Sequence, residues 1–367
     1  MQQDLKLNRR GFLMGTTAAA LLGCGPVGAR TQHYSEATVT PRPLSSAFPF
    51  RVGVCVQSPD LLGTPHFRGL VSEHFNQVST GYEAQMTEVM REGGRNDYTG
   101  VDIIANTADA EDDWLHMHAL LWHETVPKRL RDLAHDPDAF AAETWRHLDA
   151  MMARYKAQAK SWDVVNEPIE NNTGKMRTDS SLFTQVLGPD YVKYALERAH
   201  KADPTAQLFV NEYALESDPA KLEGYLKLIE DVQKSGAPLH GVGTQMHIDI
   251  YSDPSDIRKS LQALVETGLK VHISELDISV NPKRRHPFDI TEGHLQHQAH
   301  LMHEVFAIYP QVVPTAQQFA ITIWGVMDHI HWMLVHPYHM RKDAPVLFRQ
   351  DGSAKPAFYG VLAAATG

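Results

Sequence analysis

Short runs of β-branched and apolar residues recur along the chain. Longer stretches with apolar positions three and four residues apart lie between them. Eight of the short runs predict strands: Arg51–Val56, Phe75–Thr80, Leu115–Leu121, Trp162–Asn166, Leu208–Asn211, Val242–His247, Val271–Leu276 and Ala320–Trp324. The intervening spacing predicts amphipathic helices over Phe140–Lys160, Asp190–Lys201, Pro219–Lys234, Ile257–Thr267 and Thr291–Ile308. Asp218-Pro219 and Asp253-Pro254 read as helix starts, a cap followed by proline in the first turn. Gly236 and Gly268 stand where two helices should stop. Strands alternating with helices imply a parallel sheet, and eight of them imply an α/β fold of the (β/α)8 TIM-barrel type. A doubly wound open sheet is the alternative, but no Gly-rich phosphate loop follows the first strand.

The first residues break this pattern. Asn8-Arg9-Arg10-Gly11-Phe12-Leu13-Met14 looks like a twin-arginine export signal, and an apolar stretch of 13 residues, Gly11 to Gly23, follows it. That is short for a membrane span, which needs about 20 residues, and suits a signal-peptide core. Leu21-Leu22-Gly23-Cys24 resembles a lipoprotein processing site, so Cys24 is a candidate for lipidation; an ordinary cleaved signal is the alternative. The expected organisation is a signal at 1–23, a Gly/Pro/Ser/Thr-rich linker at 24–47 and one catalytic domain at 48–367. The expected location is the periplasm, the outer membrane or cell surface as a lipoprotein, or the medium.

Composition narrows the function classes. Among 367 residues, 43% are hydrophobic and 21% charged, which excludes a disordered or collagen-like chain. A net charge of -10 argues against a nucleic-acid partner. Two cysteines cannot form a disulfide framework or a four-cysteine zinc site. If Cys24 carries a lipid, Cys55 is a buried strand thiol; a Cys24–Cys55 disulfide is the other possibility.

Barrel active sites sit at the C-terminal ends of the strands. Here those ends carry His118 and Trp122-His123, Asn166-Glu167, Asn211-Glu212-Tyr213, Gln245 and His247, Glu275 and Asp277, and Trp324. So many polar residues at the ends of apolar strands need a common purpose, since each buried polar group must find partners. Glu167 and Glu275 stand out, because two acids facing each other across a barrel mouth are the equipment of glycoside hydrolysis. On a strand, Glu275 and Asp277 share a face, as do Gln245 and His247. His247 can therefore bridge Glu275 and Asp277 and keep Glu275 ionised.

At these residues the chain resembles glycoside hydrolase family 10, the β-xylanases. The resemblance runs from about Phe50 to Val361. It is carried by Trp162-Asp-Val-Val-Asn-Glu167, Gly241-Val-Gly-Thr-Gln-Met-His247, Ser274-Glu-Leu-Asp277, Trp324-Gly-Val-Met-Asp328 and Lys355-Pro356-Ala357. The resemblance implies a barrel that cleaves β-1,4-xylan with retention, without a cofactor or metal. It implies Glu167 as acid/base and Glu275 as nucleophile. It implies Asn166 on the 2-hydroxyl of the cleaved sugar and His247, Asp277 and Gln245 around the nucleophile. Substrate contacts are expected from His118, His123, Trp324, Trp332, Tyr213, Tyr82 and Arg129. The family carries Thr-x-Glu-Asn-x-x-Lys after strand two. Here Gly81-Tyr82 replaces its Glu-Asn pair and Gln85 its lysine, while Thr125 and Arg129 replace a Gln and a Trp after strand three.

These departures, with the basic cluster Lys283-Arg284-Arg285 after strand seven, raise the expectation of an acidic substrate, a uronate-decorated xylan or an exopolysaccharide. The expected partner is thus a polysaccharide, met by a monomer, with possible membrane attachment through Cys24. Two other classes compete. A barrel metallohydrolase would use clustered histidines such as His116-Met117-His118, and a glycan-binding protein would keep the cleft without turnover. Of the other histidines, His294, His297, His300 and His303 step about 60° apart around a helix and predict a polar surface rather than one metal face. His329, His331, His336 and His339 follow strand eight in a polar loop.

Overall fold

Eight parallel strands close on themselves in the computed structural model, which describes residues 33–366 except 64, 92 and 336–339. The strands are β1 (Arg51–Val56), β2 (Gln77–Thr80), β3 (Trp114–Met117), β4 (Ala159–Asn166), β5 (Gln207–Glu212), β6 (Gly241–Thr244), β7 (Lys270–Ser279) and β8 (Gln318–Ile323). Each pairs with its sequence neighbour, and β8 returns to β1 with Arg51 opposite Ala320 and Val54 opposite Ile323. The helices Pro137–Tyr155, Tyr191–Ala202, Pro219–Lys234, Pro254–Val265 and Glu292–Val312 belong to the surrounding layer. They start as the sequence implies: the Asp218 carboxylate accepts from Lys221 N at 3.0 Å, and that of Asp253 from Ser255 N at 2.8 Å. Gly236 and Gly268 end two of them at φ of 77° and 74°, a left-handed conformation that costs other residues more. None of the described helices is long and apolar enough to cross a membrane.

The inside of the barrel is polar in its middle and aromatic at its base. Phe209 and Phe319 lie 4.6 Å apart at the base, with the Arg51 guanidinium 3.7 Å over the Trp114 ring. Above them Gln77 donates to Thr322 Oγ1 at 2.9 Å, and His272 Nε2 lies 2.7 Å from the same hydroxyl. The Thr322 hydroxyl thus gives Gln77 and His272 one partner each, while Gln77 Oε1 and His272 Nδ1 stay unpartnered in the core among the described residues. β6 contributes glycines because its neighbours fill the space. A Cβ on Gly241 would lie 2.0 Å from the Phe209 ring, and one on Gly243 would lie 2.1 Å from Asn211 Oδ1.

Three expectations change. The third strand is not one run to Leu121: β3 stops at Met117, and Leu121–Trp122 rejoins β4 as a separate short strand. The sixth stops at Thr244 and resumes as His247–Asp249 beside β7, with Met246 between them at φ 62°. The linker expected up to residue 47 ends earlier, because residues 33–47 lie on the barrel. Tyr34 is buried and exchanges backbone hydrogen bonds with the Gln296 amide at 2.9 and 3.1 Å, and Leu44 is fully buried. Tyr34 and Leu44, with Val39 and Ala47 partly buried beside them, dock a segment whose composition otherwise reads as tether. The signal, Arg9-Arg10, Cys24, His336 and His339 lie outside the described residues. Cys55 is a buried free thiol on β1.

Candidate active site

The C-terminal ends of β2 to β8 surround a cleft of about 490 Å³. Glu167, Glu275, Asn166, Gln245, His247, His118, Trp122, Tyr82, Gln85, Tyr213, Trp324 and Trp332 all line it.

Glu275 sits inside β7 and is held on both oxygens. Asn211 Nδ2 donates to Oε1 at 2.7 Å, and His247 Nε2 lies 3.3 Å from Oε2. The other ring nitrogen of His247 lies 2.8 Å from Asp277 Oδ2. That oxygen also receives Trp332 Nε1 at 2.9 Å and has His331 Nε2 at 3.2 Å. Burial disfavours charge on His247, yet the carboxylates of Asp277 and Glu275 outweigh it and push the imidazole well above its usual range. Burial likewise opposes ionisation of Asp277, but His247 and His331 hold it well below the usual carboxylate range. The bridge expected from strand parity is therefore present.

Glu167 stands one residue past the end of β4, on a loop, with φ 55°. Its Oε1 accepts from Gln245 Nε2 at 3.1 Å and from Asn166 Nδ2 at 3.3 Å. No cation pairs with this carboxyl among the described residues. Burial raises its pKa, the nearby Glu275 charge adds to that, and the Gln245 hydrogen bond opposes it. One glutamate thus sits between two donors, and the other in a pocket that favours its proton.

Asn211 joins the two halves. Its amide nitrogen reaches Asn166 Oδ1 at 3.0 Å as well as Glu275, and its oxygen accepts from Ser274 Oγ at 2.7 Å. Sequence reasoning placed Asn211 at a strand end but took only its neighbour Tyr213 for the site. Trp122 was missed in the same way, passed over for the adjacent His123.

His123 and Arg129 are corrections. His123 opens a 3-10 turn immediately after Trp122 and does not line the cleft, since the short Leu121–Trp122 strand turns Trp122 towards it instead. Burial, with the charges of Arg177 and Lys221, drives the His123 pKa down to about 3, so the ring is neutral. Arg129 sits on the helix Lys128–Arg131, donates to Asn96 Oδ1 at 2.8 Å and pairs with Glu143 at 3.2 Å. It faces a separate groove with Arg91 and Lys128. Thr125 is buried against the Trp122 carbonyl. His118 does line the cleft, where Asp163 takes its Nδ1 at 2.9 Å and His116 Nε2 at 2.9 Å on one oxygen. The His-x-His spacing thus serves a buried carboxylate, and among the described residues no three His, Cys, Asp or Glu side chains are arranged to hold a metal ion. His297 and His300 are exposed on their helix, and His331 faces Asp277. Lys283, Arg284 and Arg285 are exposed on the loop after β7 and do not line the cleft.

The profile of Glycosyl hydrolase family 10 matches residues 43–364. The chain belongs to that family. It is 32% identical to Endo-1,4-beta-xylanase A of Caldicellulosiruptor saccharolyticus over 85% of this chain and 92% of that protein. It is 30% identical to Endo-1,4-beta-xylanase A of Cellvibrio japonicus over 88% of this chain and 56% of the other. The family 10 relatives are often longer: the chain spans 27% of the Thermoanaerobacterium saccharolyticum Endo-1,4-beta-xylanase A, at 30% identity over 85% of its own length. Among solved structures, Xylanase10C of Cellvibrio japonicus in complex with xylopentaose is 28% identical. It superposes with a TM-score of 0.83 over 89% of this chain and 69% of that one.

Proposed function

We propose that this chain is a retaining, endo-acting β-1,4-xylanase. One observation carries the reading: Glu275 and Glu167 face one cleft, the first held by Asn211 and His247, the second buried and pushed towards its protonated form. In the first step Glu167 protonates the glycosidic oxygen while Glu275 attacks the anomeric carbon, and the aglycone leaves. In the second, Glu167 takes a proton from water, which attacks the same carbon and releases Glu275. Asn166 stands beside Glu167 and is placed to bind the sugar hydroxyl next to the reacting carbon. Trp324 and Trp332 provide the apolar walls against which a pyranose face packs. The relatives named as xylanases support xylan as the substrate. The test is incubation with linear β-1,4-xylan, with NMR of the first-formed anomer and chain-length analysis. A first-formed α-anomer, or release of xylose alone, would sink the reading.

The exposed triplet Lys283-Arg284-Arg285 at the catalytic face favours a second reading, in which uronate-bearing xylan is preferred. Arg129 no longer supports it, being spent on Asn96 and Glu143. The measurement is kcat/KM on glucuronoxylan against its carboxyl-reduced form at low and high salt. Equal values at low salt remove the reading.

We also propose twin-arginine export, with lipid attachment at Cys24, on the strength of Arg9-Arg10 and the residues before Cys24. Changing Arg9-Arg10 to Lys-Lys should hold the precursor in the cytoplasm, and Cys24→Ala should release the product from membranes. Normal export of the first variant, or membrane association of the second, rejects the corresponding half.

A further inference from the structure

The backbone that carries Glu167 is bound by a set of buried charges that the reaction itself does not use. Arg177, 6% exposed, donates from Nε to the Glu167 carbonyl at 3.1 Å and from Nη2 to the Ile169 carbonyl at 3.0 Å. Its own backbone N–H donates to the Pro168 carbonyl at 2.7 Å. From the other side, Glu212 Oε2 accepts from Ile169 N at 2.9 Å. The second oxygen of Glu212 pairs with Lys221 at 2.8 Å, both side chains fully buried. Lys221 then reaches Asn171 Oδ1 at 2.8 Å, two residues further along the same loop.

We propose that Arg177 and the Glu212–Lys221 ion pair are positioning residues for general acid catalysis, holding the loop from Glu167 to Asn171 so that the Glu167 carboxyl meets the leaving oxygen. The inference rests on Glu167 being the acid. Three features support it. Glu167 adopts a left-handed φ of 55°, which a residue with a side chain keeps only when its surroundings impose it. Arg177 holds this loop by two main-chain carbonyls and by the Glu170 carboxylate at 3.3 Å, and so acts whatever sugar is bound. Glu275 needs none of these groups, since it sits within a strand and is held by Asn211 and His247. Loss of the clamp should therefore misplace the proton and leave the nucleophile intact. Small displacements of a reacting group are expensive in rate.

The leaving group reads out this difference. Aryl β-xylobiosides with a poor phenol need the proton, and 2,4-dinitrophenyl β-xylobioside needs little of it. Arg177→Lys should lower kcat/KM, which reports the first step, by about 30-fold on the poor leaving group and by less than about threefold on the dinitrophenyl substrate. Asn171→Ala, a change at an exposed position, removes one partner of Lys221 and should show the same signature at about threefold to tenfold. It keeps the test alive if Arg177→Lys does not fold. Equal losses on both substrates would mean that Arg177 is merely structural, and no loss on the poor leaving group by either variant overturns the clamp. Glu167→Ala is the control for the underlying assignment. If it loses kcat/KM equally on both substrates, Glu167 is not the acid, and that failure is visible without the clamp variants.

Discussion

The two carboxyls proposed as catalytic have the same chemistry and opposite settings. Glu275 lies within a strand of ten residues, and the chain of charge behind it runs through His247 to Asp277, His331 and Trp332. Glu167 lies on a loop, and the groups on its side chain are the amides of Asn166 and Gln245. Charge is stabilised where a cation and rigid donors are aimed at it, and protonation is favoured where burial acts against neutral partners. The same contrast separates rigidity: strand pairing fixes Glu275, while side chains from elsewhere must fix Glu167.

The largest effect should come from the nucleophile side. Glu275→Ala should lower turnover of every substrate by on the order of 10⁵-fold, whatever the leaving group. Glu167→Ala should cost roughly 10²–10⁴-fold in kcat/KM on xylan and far less on 2,4-dinitrophenyl β-xylobioside, while kcat on the latter falls because the second step loses its base. Azide should restore turnover of that substrate in Glu167→Ala as a β-glycosyl azide, because a small anion needs no general base. An α-glycosyl azide, or equal losses for the two substrates, would break the distinction between the sides.

Next in size is the support behind the nucleophile. Asp277→Asn keeps the shape and removes the charge that holds His247 protonated. A loss of about 10–100-fold in kcat is expected, nearly equal for good and poor leaving groups. Stability should follow the same pair. The His247 pKa is raised in the fold, so its contribution is complete below the unfolded value of about 6.5 and fades as pH rises through the folded value. The Asp277 pKa is depressed, so its contribution is complete above about 3.9 and fades as pH falls through the folded value. The Tm difference between the protein and Asp277→Asn should therefore be widest between about pH 4 and 6.5. A difference that stays flat from pH 3 to 10 would show that the network carries no charge.

This asymmetry also explains what the sequence disclosed. Barrel closure, the two glutamates and the Glu275–His247–Asp277 bridge follow from strand-end chemistry and period-two parity, because β7 runs unbroken through Glu275 and Asp277. Parity failed where strands break. β3 stops before His118, and Trp122 rather than His123 then faces the cleft. Arg129 was misplaced because the composition of a loop says nothing of which acid its cation meets, here Glu143 from a helix 14 residues on. Asn211 and Arg177 act through contacts 64 and ten residues distant in sequence, to Glu275 and to the Glu167 carbonyl. No local pattern encodes such pairings. Tyr34 shows the same limit at the margin of the fold, since its partner Gln296 lies 262 residues away.

The smallest effect tests the acid's setting alone. Gln245 donates to Glu167 Oε1 at 3.1 Å, and that bond favours the ionised form. Gln245→Leu keeps the bulk and removes the donor, so the Glu167 pKa should climb further. The acid must be protonated to act, so kcat/KM falls as pH rises through that pKa. The basic limb of the profile should therefore move upward in the variant, by less than about one pH unit, the equivalent of one ordinary hydrogen bond. The acidic limb should stay where it is, because the substitution leaves Asn211 and His247 in place. Activated substrates, which need little protonation, should show a much flatter basic limb before and after the change. A downward shift would mean that Gln245 supports the protonated form, and a matching shift of the acidic limb would mean that the two carboxyls are not set independently.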